Sequence, residues 1–234
     1  MTALLLTRPQ AQSQRFAAQA KARIGAIPVL ISPVLRIVPQ APAVPLEGVA
    51  GVVLTSENGA RALAEAADVA GLPAWCVGDR TAEAARLAGM QAVSAAGSAD
   101  DLVALIRAEA PAGKLLFAHG AETRGRVAER LAEAGFDLAS VVVYDQAPQP
   151  LSAEARALLA SDRPVIVPLF SPRSAALLAA QARDAAAPLI LVALSEAVAV
   201  AWTGAPPARL VVAERPDAAA ILDAIAGICT SASS

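Results

Sequence analysis

Val52-Val53-Leu54-Thr55-Ser56-Glu57-Asn58-Gly59 is an apolar strand pattern that breaks on hydroxyl and amide side chains and then opens an alanine-rich helical stretch. The chain does this again 115 positions later, where Val165 to Leu169 leads through Phe170-Ser171-Pro172-Arg173-Ser174 into another such stretch. The next elements follow suit. Ala74 to Gly78 and Leu189 to Ala193 are both apolar runs entering alanine-rich helices, which stop near Gly89 and Gly204. The first copy continues through Lys114 to Gly120, a helix and Gly135. The second runs out of chain, and its missing part lies at the N-terminus, as Ala3 to Arg8, a helix and Gly25. One unit written twice, with the second copy split around the first, predicts two like domains, one inserted into the other.

Short apolar runs alternating with helical patterns are the signature of α/β units and parallel sheets. In the inserted domain, strands are expected near 51–55, 74–77, 92–94, 115–118 and 140–144, with helices near 58–70, 81–88, 99–109 and 123–134. In the other, strands are expected near 3–7, 28–31, 165–170, 189–193 and 210–213. Its helices fall near 11–23, 152–160, 173–183, 196–203 and 217–227. Five parallel strands with helices on both faces make each domain flavodoxin-like. Gly25, Gly71, Gly89, Gly135 and Gly204 fall where a left-handed residue ends a helix. The boundaries read as 1–35 with 149–234 for one domain and 41–140 for the other. The crossings at 36–40 and 141–148 are β-branched, flanked by prolines, and expected to pair as a two-stranded β-ladder that hinges a ligand cleft.

Composition narrows the class. The 234 residues suffice for two domains, and 56% are hydrophobic but only 3% aromatic, so the cores are built from Ala, Val, Leu and Ile. A net charge of −2 gives no field to attract nucleic acid. Lys21 and Lys114 are the only lysines, and the arginine bias suits planar carboxylates as well as a GC-rich genome. The start lacks a signal-peptide pattern, and the apolar window 185–205 is split by Pro188 and by Leu194-Ser195-Glu196, so no membrane span is expected and the protein is read as cytoplasmic. Cys76 and Cys229 read as buried structural thiols, and one histidine, His119, excludes an imidazole-built metal site. No P-loop, nucleophile elbow or dinucleotide fingerprint is present.

In open parallel sheets ligands bind beyond the carboxyl ends of the strands. The chain puts small or hydroxylated residues there repeatedly: Thr7-Arg8-Pro9, Thr55 to Gly59, Gly78 to Thr81, His119-Gly120-Ala121, Ser171-Pro172-Arg173 and Leu194-Ser195. Each reads as a helix start, able to serve either as a plain cap or as an anion site. Six of them suggest a ligand with several carboxylates or phosphates.

These residues resemble the uroporphyrinogen-III synthase family, over most of the chain. The resemblance rests on Leu6-Thr7-Arg8-Pro9, Thr55-Ser56-x-Asn58-Gly59, Val77-Gly78-x-x-Thr81-Ala82 and His119-Gly120 with Arg124. It continues in the strand ending at Tyr144, in Phe170-Ser171-Pro172-x-Ser174-Ala175 and in Ser195. It implies cyclisation of hydroxymethylbilane to uroporphyrinogen III, with loss of water and inversion of the terminal pyrrole ring. No cofactor or metal is implied, because the pyrrole itself stabilises the cation; the expected form is a monomer acting on this small molecule, with no nucleic acid or membrane. The carboxylates would be bound by Thr7, Arg8, Thr55, Ser56, Asn58, Gly78, Arg80, Thr81, Gly120, Arg124, Ser171, Pro172 and Ser195. Tyr144 matches the family's tyrosine at the domain connection, a proton donor to the departing hydroxyl or a packed anchor of the ladder. His119 stands where many members carry arginine, and Asp145 departs from the common basic residue. The rival reading is a non-catalytic two-domain clamp that closes on a small polyanionic ligand; a nucleotide-sugar transferase would be longer and carry glycine-rich phosphate loops.

Overall fold

The structure, a computed structural model, describes residues 2–40, 42–123 and 125–231. The chain begins with β1 (Ala3–Leu6), α1 (Gln10–Ile24), β2 (Val29–Ile31), β3 (Leu35–Pro39) and β4 (Val49–Leu54). It continues through α2 (Glu57–Ala66), β5 (Pro73–Cys76), α3 (Asp79–Leu87), β6 (Gln91–Ser94) and α4 (Ala99–Glu109). Then come β7 (Lys114–Gly120), α5 (Val127–Glu133), β8 (Leu138–Pro148), α6 (Ala153–Leu159) and β9 (Val165–Leu169). Last are α7 (Pro172–Gln181), β10 (Leu189–Ala193), α8 (Glu196–Val200), β11 (Arg209–Val212) and α9 (Ala218–Ser231).

Two compact units result: Met1–Arg36 with Ala147–Ser234, and Ile37–Gln146, which lies within the sequence of the first. The first unit holds a five-stranded sheet in the order β11-β10-β9-β1-β2, all parallel. Counted along this unit's own chain, that order is the flavodoxin-like 2-1-3-4-5. The second holds β3-β8-β7-β4-β5-β6. With β4 standing for β9, β5 for β10, β6 for β11, β7 for β1 and β8 for β2, the five main strands lie in the same spatial order. The repeat read from sequence is therefore a circular permutation in space.

Apolar strands buried on both faces hold each unit together. In the first, Leu5, Val165, Val167, Leu169, Leu189 and Leu191 pack under α6 and α7, while Leu4, Leu6, Ile166 and Val192 pack with Phe16 of α1 and Ile221 and Ile225 of α9. Burying one such side chain contributes roughly 1.5–3 kcal/mol. Pro168, inside β9, has no N–H to offer, and the β1–β9 ladder pairs no further than Leu4↔Ile166. The sheet is thus left open between these strands toward their carboxyl ends.

The crossing segments behave as expected in part. β3 and β8 are hydrogen-bonded neighbours. Gln40 N–H donates to the Val143 carbonyl at 2.8 Å and Gln149 N–H to the Val34 carbonyl at 3.0 Å, so the two run antiparallel. The expected strand at 140–144 is only part of an eleven-residue strand, β8, which begins two residues earlier and runs on to Pro148. Among the described residues no helix is long and apolar enough to cross a membrane.

Two readings need correction. Gly25, Gly71, Gly89 and Gly135 are left-handed, with φ between 74° and 88°, but Gly204 is not among the positive-φ glycines. A Cβ there would stand 2.9 Å from the Ala179 carbonyl oxygen and 2.9 Å from the Trp202 ring, so this glycine permits close packing. The second correction is a slip in the repeat. Val52 pairs with Ala74 and Val167 with Leu191, so β5 and β10 correspond at 117 positions, not the 115 that relates Val52 to Val167. Gly204 is therefore no counterpart of Gly89, and α8 stops at Val200 rather than near 203.

Candidate functional site

In each unit the chain order reverses between two central strands, the place where open α/β sheets bind ligands. In the second unit these strands are β4 and β7. Val52, Leu54, Leu116 and Ala118 line one face of that sheet, together with Val141 of β8, whereas Val53, Leu115 and Phe117 line the other. Simple alternation would send Val143 to the first face and Tyr144 to the second. The ladder is interrupted instead: His119 pairs with Val142, and Gly120 with Tyr144. This β-bulge absorbs Val143 and returns the Tyr144 ring to the first face, where both residues join the same core cluster.

Gly120 makes room for that ring, while the space beside Gly59 is limited by the Ala118 carbonyl and Ser56 Oγ. A Cβ on Gly120 would stand 2.6 Å from Tyr144 Cζ, and one on Gly59 would stand 3.8 Å from Tyr144 Cε1 and 3.2 Å from the Ala118 carbonyl oxygen. The phenol oxygen lies 3.0 Å from Ser56 Oγ. Ser56 is the N-cap of α2 and accepts the Gly59 N–H at 2.9 Å. Tyr144 is 6% exposed, and Ser56 is half-buried. On the opposite face, His119 stacks on Phe117 with centroids 4.6 Å apart, its Nδ1 2.7 Å from the Gly120 carbonyl oxygen.

At the end of β5 the N-terminus of α3 borders an open hollow of about 620 Å³ lined by Gly78, Asp79, Arg80, Thr81, Glu83, Ala96 and Gly97. Gly78 is the N-cap, in extended backbone and without a side-chain cap. Arg80 is exposed there, but Asp79 and Glu83 outnumber it, so an anion would have to rely on the backbone N–H groups.

In the first unit the reversal lies between β1 and β9. Ser171 caps α7 as Ser56 caps α2: φ and ψ are −152° and 150° against −154° and 149°, and Ser171 Oγ accepts the Ser174 N–H at 3.2 Å. No tyrosine completes this copy; Ser171 Oγ lies 2.8 Å from Ser174 Oγ. The Arg8 guanidinium sits 4.1 Å over the Phe170 ring, which Phe16 meets edge-on at 5.2 Å. Thr7 is buried, its carbonyl accepting the Val34 N–H.

The family profile described as Uroporphyrinogen-III synthase HemD matches residues 14–223. The chain belongs to the uroporphyrinogen-III synthase family. The fold is similar to that of the uroporphyrinogen-III synthetase of Helicobacter pylori, at 14% identity and a TM-score of 0.70, covering 97% of this chain and 100% of that one. It is also similar to a mutant uroporphyrinogen III synthase from the extremely thermophilic bacterium Thermus thermophilus, at 18% identity and a TM-score of 0.50, covering 98% and 99%. No curated protein sequence matches.

Within this uroporphyrinogen-III synthase fold, the expected site residues are distributed unevenly. Thr55, Ser56, Asn58, Gly120 and Tyr144 gather at the reversal of the second unit, and Gly78, Arg80 and Thr81 at its neighbouring hollow. Thr7, Arg8, Ser171 and Pro172 gather at the reversal of the first unit, while Ser195 begins the five-residue α8 without a side-chain capping bond. Thr81 faces inward at 5% exposure. Arg124 lies outside the described residues. The expectation that His119-Gly120-Ala121 starts a helix is not met. His119 and Gly120 end β7, and α5 starts only at Val127, after Arg126 in left-handed backbone. The sequence reading missed what Gly120 is for, because nothing local announces a tyrosine ring from another strand.

Proposed function

We propose that the protein is the synthase that closes hydroxymethylbilane to uroporphyrinogen III, a hydro-lyase reaction that expels the terminal hydroxyl as water. The observation that carries this reading is the family match over residues 14–223. The repeated helix starts at strand ends support it, because each offers helix N–H groups to a carboxylate-rich chain. Arg8, Arg80 and Arg124 add cationic partners for the acetate and propionate groups.

The chemistry asks little of reactive side chains. Once the hydroxyl leaves, the pyrrole nitrogen shares the positive charge, so neither metal nor cofactor is required by this route. The work of the protein is positional: it must make the substituted end carbon, rather than the open one, meet the cation. The paired hydroxyls of Tyr144 and Ser56 are the source of the proton that the departing hydroxyl needs. A cytoplasmic monomer is part of the same proposal, in keeping with Cys76 and Cys229 standing outside any disulfide.

The test is to incubate purified protein with freshly made hydroxymethylbilane and separate the product isomers. Uroporphyrinogen III is expected; the symmetric isomer alone, at the spontaneous rate, would overturn the assignment.

A further inference from the structure

We propose that Ser56, rather than Tyr144, presents the outward hydroxyl hydrogen to the substrate, and that Tyr144 is a positioning residue behind it. The two form one relay. The proposal deepens the synthase reading and rests on it.

A serine hydroxyl has one hydrogen and two lone pairs. The Gly59 N–H fills one lone pair of Ser56 at 2.9 Å, and the phenol oxygen stands 3.0 Å away. Either hydroxyl could be the donor across that gap, and burial decides between them. Tyr144 is 6% exposed, so a hydrogen turned away from Ser56 would point where the ring meets almost no solvent. Buried phenols place their hydrogen on a partner. With Tyr144 donating, both lone pairs of Ser56 are filled and its own hydrogen faces outward from a half-buried position. The Gly59 N–H at the positive end of α2 and the phenol both polarise it in the same sense.

The framework gives the ring little freedom. The bulge at Val143 turns it to this face, and it fills the space that a side chain on Gly120 would take. The first unit supplies the contrast. Ser171 has the same cap geometry but a serine neighbour, Ser174, where Ser56 has the phenol.

In the reaction, Ser56 O–H passes its proton to the substrate's terminal hydroxyl, and the phenol proton moves to Ser56 Oγ. The carbon–oxygen bond breaks and its electron pair leaves on water, with the positive charge shared by the pyrrole nitrogen. The proton released when the closed ring regains aromaticity runs back through Ser56 and restores the phenol. Atoms and charge balance as loss of one water.

Steady-state kinetics and isomer analysis of Ser56→Ala, Ser56→Thr, Tyr144→Phe and the double variant Ser56→Ala/Tyr144→Phe test this. Ser56→Ala is expected to lower kcat on the order of 100-fold with KM little changed. Ser56→Thr restores most of the loss, Tyr144→Phe costs about 10-fold, and the double variant is no slower than Ser56→Ala. Ser56→Asn keeps a capping acceptor without a hydroxyl and should match Ser56→Ala, which separates the relay from folding. Ser152→Ala, which removes the equivalent cap of α6, should shift the unfolding midpoint and leave kcat alone. A Ser56→Ala enzyme within about twofold of wild type, or losses that multiply in the double variant, would overturn the relay while wild type still makes uroporphyrinogen III. Wild type giving only the symmetric isomer would instead sink the synthase reading.

Discussion

Tyr144 Cζ stands 2.6 Å from the point where a side chain on Gly120 would begin. Gly120 is not one of the positive-φ glycines, so what its missing side chain provides is space. Gly120→Ala is expected to lower stability by roughly 1–3 kcal/mol through overpacking. It should also push the phenol off Ser56 and slow turnover. Denaturant midpoints and kcat measure the two effects; an alanine variant with wild-type values for both would show that the ring is free to move.

Trp75, 6% exposed, donates its indole N–H to Glu109 at 2.7 Å, and its ring occupies the space beside Gly51. Glu109→Ala removes the acceptor, and the loss should be about 1 kcal/mol, since water can reach a residue as exposed as Glu109. Thermal unfolding followed by tryptophan fluorescence should show a lower midpoint and a red-shifted native spectrum.

Burial pushes the Cys76 thiol up to about 12, with Arg86 opposing in part, and burial raises Cys229 as well. The folded state therefore disfavours both thiolates. At pH 8 the native protein should react slowly with a thiol reagent at Cys229 and hardly at all at Cys76, with both reacting once unfolded. The sign of the linkage follows. Above about 9, the unfolded thiol's range, the unfolded chain loses its Cys76 proton while the folded chain keeps it, so stability declines as pH rises toward about 12 and is unaffected by this group below that window. Rapid native-state modification of two thiols would contradict it.

Gly135 and Gly204 separate two uses of glycine. Gly135 has φ 88° and nothing near its missing Cβ, so Gly135→Ala should cost about 1–2 kcal/mol of backbone strain alone. Gly204→Ala pushes a methyl group against the Ala179 backbone, which cannot swing aside, and should cost at least as much. Urea unfolding of the two variants checks the ranking.

Much of the fold was legible because strand and helix periods are local. Val52 to Leu54 and Val165 to Leu169 are apolar throughout since both faces of each strand are covered, and Ser56 and Ser171 mark the helix starts with the same cap. The two-residue slip at β10 was not legible, because β5 and β10 are both short apolar runs whose register is set by their neighbours. The site was legible as residue types and not as geometry. Ser56 and Tyr144 stand 88 positions apart, and a bulge that no local pattern announces brings their hydroxyls together. His119-Gly120 read as a helix start because a glycine after an apolar strand commonly is one; here the glycine yields to a ring from β8.

The proposed activity amounts to redirecting a closure that otherwise proceeds by itself. Its most direct test is the isomer ratio in a single turnover, with dialysed protein in excess over hydroxymethylbilane. Almost entirely uroporphyrinogen III is expected, unchanged by prior treatment with a chelator. The symmetric isomer in the proportion found without protein would contradict it.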